Sequence, residues 1–282
     1  MIETKLKLWR NASVAVLAGL SLTACAPGGE GGEGGEAGGE RGNAHGEAGE
    51  SGEAGAAPAA PGGEGGEAAI GESGGEHGEA GVQTAYAGID GPARTALRLQ
   101  HLKAFALVAQ QVAAAGQPGE ASVLVAQGLL EVYDPAADQF GGFDPAAARD
   151  AGATADPAKL AAAIAAIDAA QAQVQAQTNP ADIAARMADM AAGLYAHVVT
   201  PIGVDPIEYQ HSYGMALAAR DALVRGEAAL KRQNAARYAE ALAEIDRFIA
   251  LWPGAAAPQT PATHRAVVAQ ASRVRLALSA YL

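Results

Sequence analysis

Asp156-Pro157-Ala158-Lys159-Leu160-Ala161-Ala162-Ala163-Ile164-Ala165-Ala166-Ile167-Asp168 decides the fold. Aspartate before proline is a helix start: the carboxylate accepts an orphan backbone N–H, and the N–H that proline lacks is not needed in the first turn. Behind it, Leu160, Ile164, Ile167 and Val174 recur at intervals of four, three and seven, the spacing of one apolar helix face. The same punctuation recurs at Asp144-Pro145, Asn179-Pro180, Asp205-Pro206 and Thr260-Pro261, each read as a helix start, and Asp134-Pro135 opens a short helical turn before Gly141-Gly142.

The segments between these starts carry their own stripes. Ile183, Met187, Met190 and Leu194 form one, and Tyr238, Leu242, Ile245, Ile249 and Trp252 another. Val267, Ala271, Val274, Leu278 and Tyr281 form a third. Upstream, 92–115 and 118–133 read as helices broken at Gly116. No stretch alternates polar and apolar residues with the period of a strand. The sequence predicts an all-α fold, a bundle of about six or seven mostly antiparallel helices over 84–282. Alanine at many packing positions lets the helix axes approach closely. Gly214 and Gly226, within one long helix after Pro206, each mark a kink or a close crossing.

Ahead of the bundle the composition changes. Gly28 to Gly81 is little but glycine, glutamate and alanine, with 12 Glu against the single Arg41, a net charge of −11. The whole chain carries −12, so its acidity belongs to this spacer and the remainder is near neutral. With Ile70 as its lone aliphatic residue, the spacer has nothing to bury and is expected to be a disordered tether. A Gly-rich coil of that length spans roughly 40 Å. Its carboxylates make a soluble spacer or, on a competing reading, a weak multivalent sponge for hard cations, to which His45 and His77 add nitrogen.

The chain begins with Lys5, Lys7 and Arg10, followed by a short apolar run from Ala12 to Leu22 and by small residues up to Cys25, its only cysteine. That is the layout of a secretory signal, and the run is too short for a spanning helix, which needs ~20 apolar residues. Leu22-Thr23-Ala24-Cys25 resembles the lipobox of bacterial lipoproteins. The resemblance implies lipidation of the Cys25 thiol, removal of 1–24 and acylation of the new N-terminus, leaving 25–83 as lipidated terminus and spacer. In that family an aspartate after the cysteine favours the inner membrane. Ala26 stands there, so the implied location is the outer membrane, on its periplasmic face. A consumed thiol also rules out disulfides, thiolate metal sites and cysteine nucleophiles in the mature chain.

Polar residues on apolar stripes are the candidate ligands. His197 follows Leu194 by a step of three and is expected to face the bundle interior. His101 shares a face with Leu97, Ala104 and Val108, Glu131 closes the second helix, and Glu208 and His211 lie three apart on another. Glu208-x-x-His211 has the spacing of a di-metal carboxylate helix, although no second copy of the motif follows. Glu208 also fits the third position of a capping box behind Asp205. A site for a divalent or ferric cation built from His101, Glu131, His197 and His211 requires their helices to converge; otherwise these are satisfied interior groups. The sequence shows no zinc-protease helix, nucleophile elbow or phosphate loop, so a non-enzymatic role is expected. With no basic face and an acidic spacer, nucleic acid is not an expected partner.

Leu194-Tyr195-Ala196-His197-Val198-Val199, with Gly203-Val204-Asp205-Pro206-Ile207-Glu208-Tyr209-Gln210, resembles a segment in helical periplasmic domains of bacterial iron-uptake proteins. Leu99-Gln100-His101-Leu102 and Leu130-Glu131-Val132-Tyr133 are similar to stretches of alanine-rich lipoproteins with Gly-Glu spacers. The resemblance implies a binding module that assists metal-ion handling or a metal-uptake partner. The alternative is a structural or adaptor lipoprotein that docks another envelope component. The chain lacks the Gly-x-His-x-x-Glu motif of imelysin-like proteins and the Arg-Glu-x-x-Glu motif of iron-permease cores, so the resemblance does not extend to transport.

Overall fold

A computed structural model describes residues 79–282. The signal, Cys25 and nearly all of the spacer lie outside the described residues. What is described is all-α apart from one two-residue hairpin. In chain order the helices are α1 (Glu79–Tyr86), α2 (Gly91–Ala114), α3 (Pro118–Gly128), α4 (Ala146–Ala153) and α5 (Pro157–Val174), then α6 (Pro180–Tyr195), α7 (Pro206–Arg225), α8 (Glu227–Ile249) and α9 (His264–Leu278). A π-helical turn (Leu129–Tyr133) and a 3-10 segment (Asp134–Phe140) follow α3. The hairpin pairs β1 (Val199–Thr200) with β2 (Gly203–Val204) between α6 and α7.

The proline-marked starts behave as their chemistry requires. Asp156 accepts from Lys159 N at 2.9 Å, Asn179 from Ala181 N at 3.0 Å, and Asp205 from Ile207 N at 2.9 Å. Asp144 Oδ1 takes Ala146 N at 2.9 Å just ahead of α4. Thr260-Pro261 does not open a helix. The start falls three residues later, where Thr263 accepts from Ala266 N, because a free hydroxyl directly ahead of the apolar run can close the first turn and Thr260 is too far upstream.

Nine α-helices stand among the described residues where six or seven were expected. One extra comes from Gly226, which ends α7 and starts α8 instead of kinking one helix. A β-carbon there would run into the ring of Pro180 at the start of α6, so the break doubles as a close approach. Another is α1, which begins at Glu79, ahead of the expected boundary at 84, and packs Ala85 into the core.

The central layer consists of α2, α6 and α7. Gln100 lies against Ala218 and Ala104 against Gly214, so α2 and α7 run antiparallel. The hairpin turns α6 back into α7, with Ser212 donating to Ala191 O at 2.8 Å. α9 lies antiparallel on α8, with Gln270 on Glu244 at one level and Tyr281 on Asn234 at another. α5 closes the other side of α2, presenting Leu160, Ala163, Ile167 and Gln171 to the core. Its buried stripe is thus rotated from the expected one: Ile164 and Val174 are half-buried, and alanine and glutamine take the inner positions. The remaining expected stripes on α6, α8 and α9 face inward, Leu242 and Ile249 being half-buried.

Candidate functional site

His101, in the third turn of α2, and His211, in the second turn of α7, come together across Phe105. The His101 ring centroid is 5.9 Å from that of Phe105, and the His211 centroid 5.0 Å on the other side. Both histidines are buried. Nδ1 of His101 lies 3.0 Å from the Tyr86 hydroxyl, delivered by α1. Nε2 of His211 lies 3.4 Å from Gln127 Oε1 on α3. Burial strips water from each imidazolium, which pushes His101 down to about 3, helped by the Arg98 charge and by His211. The same desolvation pushes His211 down to about 4 against the pull of Asp205. Tyr86 is pushed above the usual phenol range by its own burial, although Arg98 sits 4.3 Å over its ring. The cluster is therefore a neutral, hydrogen-bonded aromatic stack at ordinary pH.

The other expected members do not join it. Glu131 lies on the π-helical turn and is exposed. The wider turn re-aims the residues after Gly128, which is pressed so tightly on Phe105 that a β-carbon would come within 2.8 Å of that ring. His197 does not continue the α6 stripe into the interior. The helix ends at Tyr195, and Ala196, His197 and Val198 donate to the carbonyls three residues back, so the tightened turn carries His197 off the face to a half-buried position. Glu208 receives the Asp205 cap on its amide at 3.2 Å, but Asp205's own amide, which a capping box would hand to the Glu208 side chain, donates to Val198 O at 2.8 Å. Among the described residues no group of three or more His, Cys, Asp or Glu side chains is arranged to hold a metal ion. The four-residue centre expected from sequence is not formed: two of its histidines meet, and each spends a ring nitrogen on a tyrosine or a glutamine.

A second polar cluster is built where the sequence reading placed no site. Lys103 of α2 is only 2 % exposed, and its ammonium bridges Asp168 of α5 at 2.6 Å and Asp221 of α7 at 2.7 Å. Gln100, one turn earlier, donates to Ala218 O at 2.7 Å and to Asp221 Oδ2 at 3.0 Å. Its own carbonyl accepts from Gln171 Nε2 at 2.6 Å and from Arg225. Arg225 also pairs with Asp221 at 2.8 Å. Two cations and two anions balance, as a buried network must to offset their desolvation. One group is left over: Gln171 Oε1 is buried and has no hydrogen-bond partner. The signal was present in the sequence as three polar pairs at helical spacing, Gln100 with Lys103, Asp168 with Gln171, and Asp221 with Arg225.

No protein-family model, curated protein or solved structure matches the chain. No helix among the described residues is long and apolar enough to cross a membrane.

Proposed function

We propose that the chain is a lipoprotein anchored through Cys25 to the periplasmic face of the outer membrane, carrying a helical binding module at the end of a Gly/Glu-rich spacer. The observation that carries the reading is Leu22-Thr23-Ala24-Cys25 behind its basic and apolar start. Three acyl chains, implied by the lipoprotein resemblance, hold a protein far more firmly than the single chain that gives marginal binding. The bundle supports a module reading because its core runs continuously from Ala85 to Tyr281, which gives the segment after the spacer a core of its own. The metal-handling form of the reading rests on spacer carboxylates, since the bundle histidines meet without a third ligand.

A second reading, an adaptor that docks another envelope component, is favoured by the hairpin. Ile202 at its tip is 99 % exposed and Val199 beside it 56 %. Apolar side chains held out on a paired turn suit insertion into a partner's pocket.

Cell fractionation tests the anchor. Wild type should sediment with outer membranes and enter the detergent phase, and Cys25→Ser should do neither. A Cys25→Ser protein that stays with outer membranes through high-salt washing would overturn lipid anchoring at this residue.

A further inference from the structure

The chain turns back on itself where the spacer enters the bundle. Spacer and bundle join at α1, which is eight residues long, and the turn 87–90 leads from it into α2. Gly88 and Gly91 have φ of 66° and 51°, left-handed values that glycine reaches without strain. The reversal lays α1 back on α6.

Side chains of the bundle hold α1 and its turn, and they hold one end. The Arg186 guanidinium on α6 donates to Ala85 O at 2.6 Å and to Ala87 O at 3.0 Å. Tyr86 sets its hydroxyl on His101 and its ring under Arg98, and Arg94 Nε donates to Ile89 O at 2.8 Å. The spacer joins at the other end, Glu79. Little apolar burial adds to these contacts. Between 82 and 90 only Ala85 and Ile89 are buried, with Val82 and Tyr86 half-buried beside them. Among the described residues, every other buried apolar residue of the core lies at or beyond Ala96. A helix this short is marginal in water on its own, so α1 stands only while its clamps do.

We propose that 79–90 is a releasable strap: α1 comes off the bundle as a unit, turning about Gly91, while α2 to α9 stay folded. Sub-global opening is drawn from segments with few buried contacts. Release uncovers the His101 ring and the face of the Arg98 guanidinium that Tyr86 covers. Drawn out to an extended chain, the eight residues of α1 gain about 15 Å of length. The opening itself is a property of the bundle. Its use as reserve length rests on the reading of the bundle as a module at the end of a spacer.

Chymotrypsin, whose specificity pocket takes large apolar side chains, reads the release directly. Residues 25–85 contain no Phe, Tyr, Trp or Leu, so Tyr86 is the first strong site after the signal-like start, and the bond behind it is reached only with the strap off. Where opening and closing are fast relative to cleavage, the rate follows the open population. The full chain, purified from whichever fraction holds it, should give one early fragment that begins at Ala87 and resists further cutting. Arg186→Met, which loses both carbonyl contacts, should speed that cut about tenfold or more. Tyr86→Phe keeps the cleavage site and loses only the hydroxyl, and should speed it about fivefold, each rate taken relative to a free 79–94 peptide of the same sequence. Asp221→Ala weakens the bundle away from the strap and should leave the cut unchanged. General breakdown with no fragment from Ala87 would overturn the proposal, as would an unchanged rate in either strap variant. So would a cut that Asp221→Ala speeds as much as Arg186→Met does, because cleavage would then pass through unfolding of the whole bundle. All of these rates are read on purified protein, so they stand whichever way fractionation decides the Cys25 anchor.

Discussion

Gly214 of α7 lies so close to the carbonyl of Ala104 on α2 that a β-carbon would come within 2.7 Å of the oxygen. The crossing is set by backbone against backbone. Gly214→Ala therefore forces the two central helices apart. The ~1 kcal/mol that alanine gains in helix propensity is outweighed by overpacking of ~1–3 kcal/mol. We expect a loss of melting temperature of a few degrees, about 2–4 °C per kcal/mol for a domain of this size. Gly119→Ala on α3, where nothing lies within 4 Å, is the control and should be neutral or stabilising in the same thermal scan.

The histidine stack makes stability depend on pH. His101 and His211 are held at about 3 and 4 in the fold, against an ordinary value near 6.5, so the unfolded chain binds protons that the folded chain refuses. Their contribution is complete above pH ~6.5 and is lost as pH falls from there, toward about 4 for His211 and about 3 for His101. At pH 5 each is expected to have cost about 2 kcal/mol relative to pH 7. Urea melts at pH 7 and pH 5 measure this directly. His211→Phe should flatten the dependence by about half, and an unchanged slope in that variant would remove His211 from the account.

Asp221 is the carboxylate that ties both cations of the polar network together, taking Lys103 on one oxygen and Gln100 and Arg225 on the other. Asp221→Ala leaves the Lys103 ammonium buried with Asp168 alone. Removing one partner of a buried pair costs roughly 3–5 kcal/mol, and because Asp221 is 27 % exposed we expect the lower end. Chemical denaturation of the pair Asp221→Ala and Asp168→Ala should rank Asp221 well above Asp168, whose side chain is 44 % exposed.

The start of α9 separates two threonines. Thr263→Ala removes the oxygen that accepts from Ala266 N and should cost about 1 kcal/mol, while Thr260→Ala, outside the helix, should cost little. Similar losses in both variants would mean that the loop before α9 contributes as much as the cap.

The parts of the fold that were legible in the sequence are those governed by local chemistry. Asp156, Asn179 and Asp205 cap the helices that their prolines announce, because a cap and its target are two or three residues apart. The α6, α8 and α9 stripes point inward because helical periodicity alone fixes a face. What depended on distant partners was not legible. Gly226 divides a helix on account of Pro180, 46 positions away, and the wide turn at Leu129 follows Gly128 pressed on Phe105. His197 illustrates a third limit: extending a stripe by one more step assumes the helix continues, and three tightened hydrogen bonds end it first. Of the candidate site, the approach of His101 to His211 was anticipated as one outcome of helix convergence. The Lys103 network was not, because lysine spacing alone does not reveal a residue folded inward onto two carboxylates.

Alanine is the commonest buried residue on the packed pair α6 and α7, with Ala184, Ala185, Ala188 and Ala191 buried on the first and Ala216, Ala218, Ala219 and Ala222 on the second. Alanine has no rotamers to rearrange and no methylene to lose. Mutational damage along this seam should therefore be one-sided. Truncation has almost nothing to remove, whereas each added carbon must move a backbone. A saturation library across these positions should tolerate glycine and serine better than valine or leucine, the reverse of what a leucine-rich core shows. Random drift, which mostly proposes larger side chains at alanine codons, would then meet strong purifying selection at residues that look, by size alone, the least demanding in the protein.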